Sequence, residues 1–524
     1  MDNLVDPSRR QRLMDVVKNT KTTYLPSLVK TIGNFTAYPT SSACEPLPED
    51  TQICIYNAFS VPSGDGYLTE VTAWVYAPGT MTRKNRVLLS LMNKFTKSDV
   101  GPATEAMLEN QILEEADAPS LRRTGTSSSQ STASTTASTA SLGSEILKAR
   151  LSATFARQIS STQVRIVLGS ESAIKEDLVE EVLISDAKGM IETKVKTPYK
   201  PSVVQLCCVE LDTTAAFKDI MHISKKGISV ITDIDDTVRI TGVVGPKAEM
   251  LRNVFVKDYV DCAIPGVAQW FTKLADLGCG IHYVSNSPWQ VYNVVCDFMA
   301  AVGLPHGTIH LRQYNGNMIS SLLQPPHERK RVRLEKIVND FPDRRFILVG
   351  DSGESDLEAY HGLALLYPEK IKAIYIRVIH GSFSSYDELK VLEDLHNMID
   401  EREHRLSPEP VMIDDLIDLD KKVAPPPPSK PQFLRGTPVL QKPELPRRMP
   451  SPTMAPSVPA LPPRRNFQQT EYENMMSEEE LNDKKGEEWR ERVRYLVDTL
   501  PAHIHFKLWT DVSDVLEDSL QIVE

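Results

Sequence analysis

Two carboxylates one residue apart, Asp233 and Asp235, with Thr237 close behind, end the apolar run Ile228-Ser-Val-Ile-Thr-Asp-Ile-Asp-Asp-Thr-Val238. Like charges at that spacing repel and are costly to desolvate unless a cation lies between them, and hard carboxylate oxygens suit Mg²⁺. The run reads as a buried parallel strand that stops and delivers both acids at its C-terminal end, the edge at which open α/β sheets bind ligands. An acidic turn after a strand accounts equally well for a lone Asp-x-Asp-x-Thr. A calcium loop of the EF-hand kind does not, because its sixth and twelfth positions hold Val238 and Val244 in place of Gly and Glu.

Three further segments follow in order. Ile281-His-Tyr-Val-Ser-Asn-Ser287 is apolar until Ser285, Lys330 opens a segment running to Val338, and Phe346-Ile-Leu-Val-Gly-Asp-Ser-Gly-Glu-Ser-Asp356 ends in Asp351, Glu354 and Asp356. A helical pattern lies between each pair. This βαβ rhythm brings the ends of several parallel strands to one edge of one sheet.

These four segments resemble the haloacid-dehalogenase-like phosphatases, whose motifs are an Asp-x-Asp-x-Thr, a Ser or Thr after a strand, a Lys, and a Gly-Asp followed by a second acid. The wording around them, Tyr-Val-Ser-Asn-Ser-Pro-Trp289 and Phe-Pro-Asp-Arg-Arg-Phe-Ile-Leu-Val-Gly-Asp351, with Trp74-Val-Tyr-Ala-Pro-Gly79 and Arg83-Lys-Asn-Arg86, is similar to the Mg²⁺-dependent phosphatidate phosphatases of yeast cortical actin patches. The resemblance covers about Asp50 to Val100 and Ala156 to Ser385. It implies a Rossmann-like parallel-sheet domain in which Asp233 is a nucleophile forming an aspartyl-phosphate and Asp235 a general acid and base with a raised pKa. It further implies Mg²⁺ held by Asp233, the carbonyl of Asp235 and Asp351, with Asp356 as second acid and Glu354 as its rival. Ser285 and Lys330 would bind the transferring phosphoryl group, and Thr237 would either help them or cap the turn. The activity implied is hydrolysis of phosphatidate to diacylglycerol and phosphate at a membrane. The alternatives are the same chemistry on phosphoproteins or soluble monoesters, and an SH3-binding scaffold whose enzyme domain is vestigial.

At 524 residues the chain is long enough for two or three domains. A net charge of −11 argues against a general nucleic-acid binder, and no stretch approaches the roughly 18 to 20 apolar residues of a membrane span. The start lacks the apolar core of a secretory signal, so the expected location is cytoplasmic, and the resemblance implies a peripheral place at membranes and cortical actin patches. Seven cysteines without a C-x-x-C pair suggest neither a disulfide framework nor a zinc site.

The elements that must position the site follow from periodicity. Residues 1–49 read as an N-terminal helical segment, Asp6 to Ile32 being basic and modestly amphipathic. From 50 to 226 the period turns to two, predicting strands at Gln52 to Ser60, Thr69 to Ala77, Arg86 to Leu91, Gln163 to Leu168, Met190 to Lys196 and Val203 to Leu211, with a turn at Ser63-Gly-Asp-Gly66. This predicts a β-sandwich-like domain, interrupted by helices at Pro102 to Ala116 and Ser144 to Arg157 around a Ser/Thr-rich loop, 122–144, too polar to offset its ordering entropy. The phosphatase domain is expected at 227–395, with Val267, Trp270, Phe271, Leu274 and Leu277 at helical spacing and Trp270 and Phe271 in the core. The spans between motifs leave little room for a large inserted cap, an arrangement that the family associates with bulky substrates. Residues 406–476 are proline-rich and expected to be disordered, with two P-x-x-P-x-R cores, Pro443, Pro446, Arg448 and Pro459, Pro462, Arg464, suited to SH3 domains, which the resemblance implies are those of the cortical actin machinery. Residues 477–524 read as an amphipathic helical segment carrying Trp489, Val493, Leu496 and Val497.

Overall fold

The structure is a computed structural model and describes residues 47–79, 82–96, 102–117, 139–170, 177–211, 213–313, 330–406 and 483–524. The chain divides into Met1–Glu49, of which only 47–49 are described, and Asp50–Glu524. The expected N-terminal amphipathic stretch, the Ser/Thr-rich loop up to residue 138 and both SH3 motifs lie outside the described residues.

The second unit begins with strands. β1 (Gln52–Ser63) and β2 (Gly66–Ala77) form a hairpin through Gly64 and Asp65, the glycine at φ +58°, where a side chain would be strained. β3 (Arg157–Gln158) and β6 (Met190–Thr197) share the other edge of β2, and β9 (Met221–His222) runs parallel to β1. A second, antiparallel sheet has the order β5 (Val179–Ile184), β4 (Gln163–Gly169), β7 (Val203–Cys208), β8 (Ala215–Asp219). Lys218 on β8 ties the sheets by donating to the carbonyls of Ile55 and Tyr56 on β1, at 3.1 and 2.8 Å.

Helices α1 (Arg83–Phe95), α2 (Pro102–Asp117) and α3 (Thr139–Leu151) interrupt this region. The strand expected at Arg86 to Leu91 is therefore helix. Thr82 caps it by accepting from the Asn85 amide, and Leu88, Met92 and Phe95 are buried at helical spacing, so burial on one side overrides the apolar run. Helix α3 starts at Thr139, inside the loop expected to be disordered, and gives way to a 3₁₀ turn at Ser152–Phe155.

The remainder is α/β. A six-stranded, all-parallel sheet has the order β12 (Thr308–Arg312), β11 (Gly280–Pro288), β10 (Gly227–Asp233), β13 (Arg344–Asp351), β14 (Ile371–Arg377), β15 (His505–Trp509). Val230, Ile347 and Val349 face one core with Trp270 and Phe271, while Ile231, Phe346 and Leu348 face the other, so the central strands read as unbroken apolar runs. On the first face lie α4 (Lys247–Phe255), α5 (Val267–Asp276), α6 (Tyr292–Val302) and α11 (Ser513–Val523). On the second lie α7 (Lys330–Asp340), α8 (Asp356–Leu366), α9 (Glu388–Leu406) and α10 (Lys484–Thr499). Trp270 and Phe271 are buried as expected, and Leu277 is exposed.

After Ser477 the sequence pattern predicts helix alone, yet β15 adds a sixth strand there and pairs with β14 from Ala373 to Arg377. Trp270 donates to Ser519, Trp489 to the carbonyl of Ser382, and Arg402 on α9 to the carbonyls of Leu500, Pro501 and Ile504. The chain on both sides of the proline-rich segment is thus anchored in one core. Trp489→Ala should lower the free energy of unfolding by about 3–5 kcal/mol in urea titrations, the usual cost of removing a buried tryptophan, whereas a loosely attached tail helix would lose almost nothing.

Candidate active site

Three parallel strands deliver the polar residues side by side. Asp233 ends β10, which is in register with Val284 on β11 and with Val349 on β13 through Thr232, so Ser285 and Asp351 emerge beside it at the same C-terminal edge. Helix α7 starts at Lys330, whose Nζ donates to Asp233 Oδ1 at 2.5 Å and to Asp356, and lies 4.0 Å from Glu354. Asp356 opens α8 and turns its other oxygen to the amide of Asp351 at 3.3 Å. Gly350 makes this possible, since a Cβ there would sit 2.3 Å from Asp356 Oδ2 and 2.7 Å from the Tyr360 ring. Asp351 Oδ1 accepts from the amides of Gly353 at 2.6 Å and Glu354 at 3.1 Å.

Asp233, Glu354 and Asp356 offer carboxylate oxygens within 4.8 Å of one another, so both rivals for the second acid belong to the cluster. Burial pushes the Asp233 carboxyl well above its usual range, opposed by Lys330 and reinforced by Asp356, Glu354 and Asp351. Asp351 is raised by burial and by Asp356 and Glu354, and Glu354 is pushed up to about 7, again by burial first. Burial works against the charge of Lys330, but Asp233 and Asp356 outweigh it and hold the ammonium well above the usual lysine range. Four carboxylates against one ammonium leave excess negative charge out of water. Asp233 Oδ2 and Asp351 Oδ2 are buried without a hydrogen-bond partner among the described residues. Hard oxygens, surplus charge and two unspent lone-pair sites are what a divalent cation satisfies, so the residues fit one.

Asp235 differs from the expectation. Its carboxylate is not left to rise: Oδ1 accepts from Arg239 and Thr241, both at 2.8 Å, and Oδ2 from Ser285 at 2.6 Å and Ser287 at 3.0 Å. Burial alone would raise it, yet the Arg239 guanidinium and the hydrogen bonds of Ser285, Arg239 and Thr241 hold it below the usual carboxylate range. The expected raised pKa belongs to Asp233, Asp351 and Glu354 instead. Ser285 is correspondingly spent on Asp235, while Thr237 Oγ is buried without a partner and caps nothing among the described residues.

Sequence reasoning missed the groups that arrange these acids. Asp236 adopts φ +57°, and its carboxylate accepts from the amides of Thr241, Gly242 and Val243, folding the loop after β10 back on itself. Asn286 bridges Glu354 at 2.8 Å and Arg333 at 2.9 Å. The one available signal was Arg239 itself, a cation between Val238 and Ile240 at i+4 from Asp235. Arg239→Met strands the Asp235 charge in a buried site and should cost about 3–5 kcal/mol in denaturant unfolding, with part of the loss recovered when Asp235→Asn is added; a loss under about 1 kcal/mol would show that the pair holds nothing in place.

The family model of the phosphatidate phosphatase APP1 catalytic domain matches residues 228–378, which contain all of these residues. Phosphatidate phosphatase APP1 of Saccharomyces cerevisiae is 32% identical over 427 residues, covering 75% of this chain and 72% of that one. An uncharacterized protein of Schizosaccharomyces pombe is 34% identical over 170 residues, 32% of this chain and 28% of its own. Among solved structures, a class C acid phosphatase from Bacillus anthracis with tungstate bound overlaps 28% of this chain and 65% of its own at 17% identity and a TM-score of 0.19, too little to bear on the fold. With the acid and lysine set assembled at one sheet edge and three quarters of its length matched, this chain is a phosphatase that belongs to the phosphatidate phosphatase APP1 family.

Proposed function

We propose that the chain hydrolyses phosphatidate to diacylglycerol and inorganic phosphate, with Mg²⁺ as cofactor and Asp233 as nucleophile, at a membrane surface. The observation that carries the chemistry is Asp233 itself, fully buried, with one oxygen on Lys330 and the other unspent. The lipid substrate is that named for the Saccharomyces cerevisiae relative.

In this reading Asp233, Asp351, the carbonyl of Asp235 and the acid pair Glu354 and Asp356 would hold Mg²⁺, which supplies charge neutralisation for the phosphoryl oxygens. A carboxylate oxygen of Asp233 attacks phosphorus in line, the bond to the glycerol oxygen breaks, and the leaving alkoxide takes a proton from Asp235. Water then attacks the aspartyl-phosphate while Asp235 takes a proton from it, and phosphate departs. The pairing with Arg239 favours the ionised Asp235, the form this second half needs; donation in the first half requires Asp235 to leave the guanidinium. Lys330 stays beside Asp233 and offsets charge on the transferring group, with Ser285 and Thr237 as phosphate contacts.

The same reading treats 50–226 as a β-sandwich-like accessory domain and 227–395 as the catalytic domain, completed by the strand and helices of 484–524. The P-x-x-P-x-R cores at Pro443, Pro446, Arg448 and Pro459, Pro462, Arg464 recruit the enzyme through SH3 domains to cortical actin sites.

In mixed micelles the purified protein should release phosphate from phosphatidate faster than from phosphopeptides or small monoesters, and the opposite ranking discards the lipid substrate. Asp233→Asn, or chelation of Mg²⁺, should cut turnover about a thousand-fold or more. Pulldowns on SH3 domains should fail for the Pro446→Ala, Pro462→Ala double variant; unchanged capture removes the docking assignment.

A further inference from the structure

The turn 351–354 carries two of the acids, Asp351 and Glu354, and it is held from outside by a loop. The amides of Gly353 and Glu354 fix Asp351 Oδ1 at 2.6 and 3.1 Å, so the aim of its bare Oδ2 depends on how that turn is seated. Ser352 is buried beside Asp351, and its amide donates to the carbonyl of Arg377 at the end of β14. Its hydroxyl accepts from the amide of Ile379 at 2.9 Å and shares a hydrogen bond of 2.6 Å with the buried hydroxyl of Ser382. The segment 379–384 therefore closes on the turn, and a Cβ at Gly353 would lie 3.9 Å from Ile379 Cγ1.

The other side of the loop is held by the chain that returns after the proline-rich segment. Trp489 on α10 donates its indole N–H to the carbonyl of Ser382 at 2.9 Å, and Lys485 donates to the carbonyl of Gly381 at 2.5 Å. Ser384 donates to Asp483, the N-cap of α10, at 2.6 Å, and the rings of Phe383 and Trp489 pack with centroids 4.3 Å apart. Each of residues 381–384 thus has a partner on α10 or its N-cap. Two hydrogen bonds lead from the Trp489 indole through Ser382 to Ser352, the residue beside Asp351. The loop begins at Ile379, one residue past the region that the family model matches. Groups that orient metal ligands act on metal affinity first, because they decide how well the ligands meet the ion.

We propose that Ser382 is a positioning residue for the cation site: through Ser352 it seats the turn 351–354 so that Asp351 presents its unspent oxygen to Mg²⁺, and Trp489 holds Ser382 in place. The assignment rests on the Mg²⁺ reading of the acids. It adds that chain on the far side of the proline-rich segment sets the affinity for the ion.

The test uses the full chain with phosphatidate in mixed micelles. Ser382→Ala should raise the Mg²⁺ concentration for half-maximal rate about two- to ten-fold, the worth of one neutral hydrogen bond, with kcat at saturating Mg²⁺ unchanged. Calorimetric titration of Mg²⁺ into the substrate-free protein should show the affinity lowered by the same factor. Trp489→Phe keeps a ring but removes the donor; it should move both readouts in the same direction, and it stands in should Ser382→Ala fail to fold. Ser519→Ala breaks a bond of the same kind, that from Trp270 at 2.8 Å, in the core on the other face of the sheet, so it should cost stability and leave Mg²⁺ affinity as it was. Unaltered Mg²⁺ affinity in Ser382→Ala and Trp489→Phe, or an equal loss in Ser519→Ala, overturns the positioning role and leaves the Mg²⁺ reading standing. A wild type that binds no Mg²⁺ and turns over without it overturns both.

Discussion

The buried ammonium of Lys330 is the contact on which the catalytic edge depends. Asp233 at the end of β10, Asp356 at the start of α8 and Glu354 in the turn before it gather around it, carboxylates that could not remain charged out of water alone. Its two shortest contacts tie the start of α7 to the end of β10 and to the start of α8, elements separated by 97 and 26 positions in the chain. The ammonium does not cancel the acids. It leaves surplus negative charge and two bare oxygens, and that imbalance suits the site to a cation and an anionic phosphoryl group rather than to a structural ion pair.

Two residues from Asp233, the electrostatics reverse. Asp233 is raised by burial among acids, whereas Asp235 is lowered by Arg239 and by hydroxyl donors. Separate environments for neighbouring carboxylates are how one site obtains two roles from one residue type. The backbone permits the separation because β10 stops at Asp233 and Asp236 enters the left-handed region, with three amides holding its carboxylate, so the chain turns before the second acid is placed.

The C-terminal strand extends the same logic of shared burial. The region matched by the family model ends at residue 378, yet β14 would be an exposed edge without β15, and without α11 Trp270 and Tyr375 would lose their partners Ser519 and Asp518. The sheet of β1, β2 and β6 likewise lines a cavity of about 330 Å³ together with Trp289, Tyr292 and β12.

The sequence by itself determined that apolar runs stop at Asp233 and at Asp351, and that parallel strands bring those acids to one edge, because such a run is legible residue by residue; Lys330 joined them only through the family resemblance. Helical spacing at Trp489, Val493 and Leu496 was legible too, but not the strand His505–Trp509, whose five residues gain their meaning only from pairing with β14. Tertiary structure decided what the local pattern could not carry: that Arg86 to Leu91 lies in a helix, and that the Asp235 carboxylate is held by Arg239, Thr241, Ser285 and Ser287. The physical reason is the same in each case. Desolvation and pairing energies depend on which groups share a buried space, and spacing along the chain fixes that only for neighbours within one element.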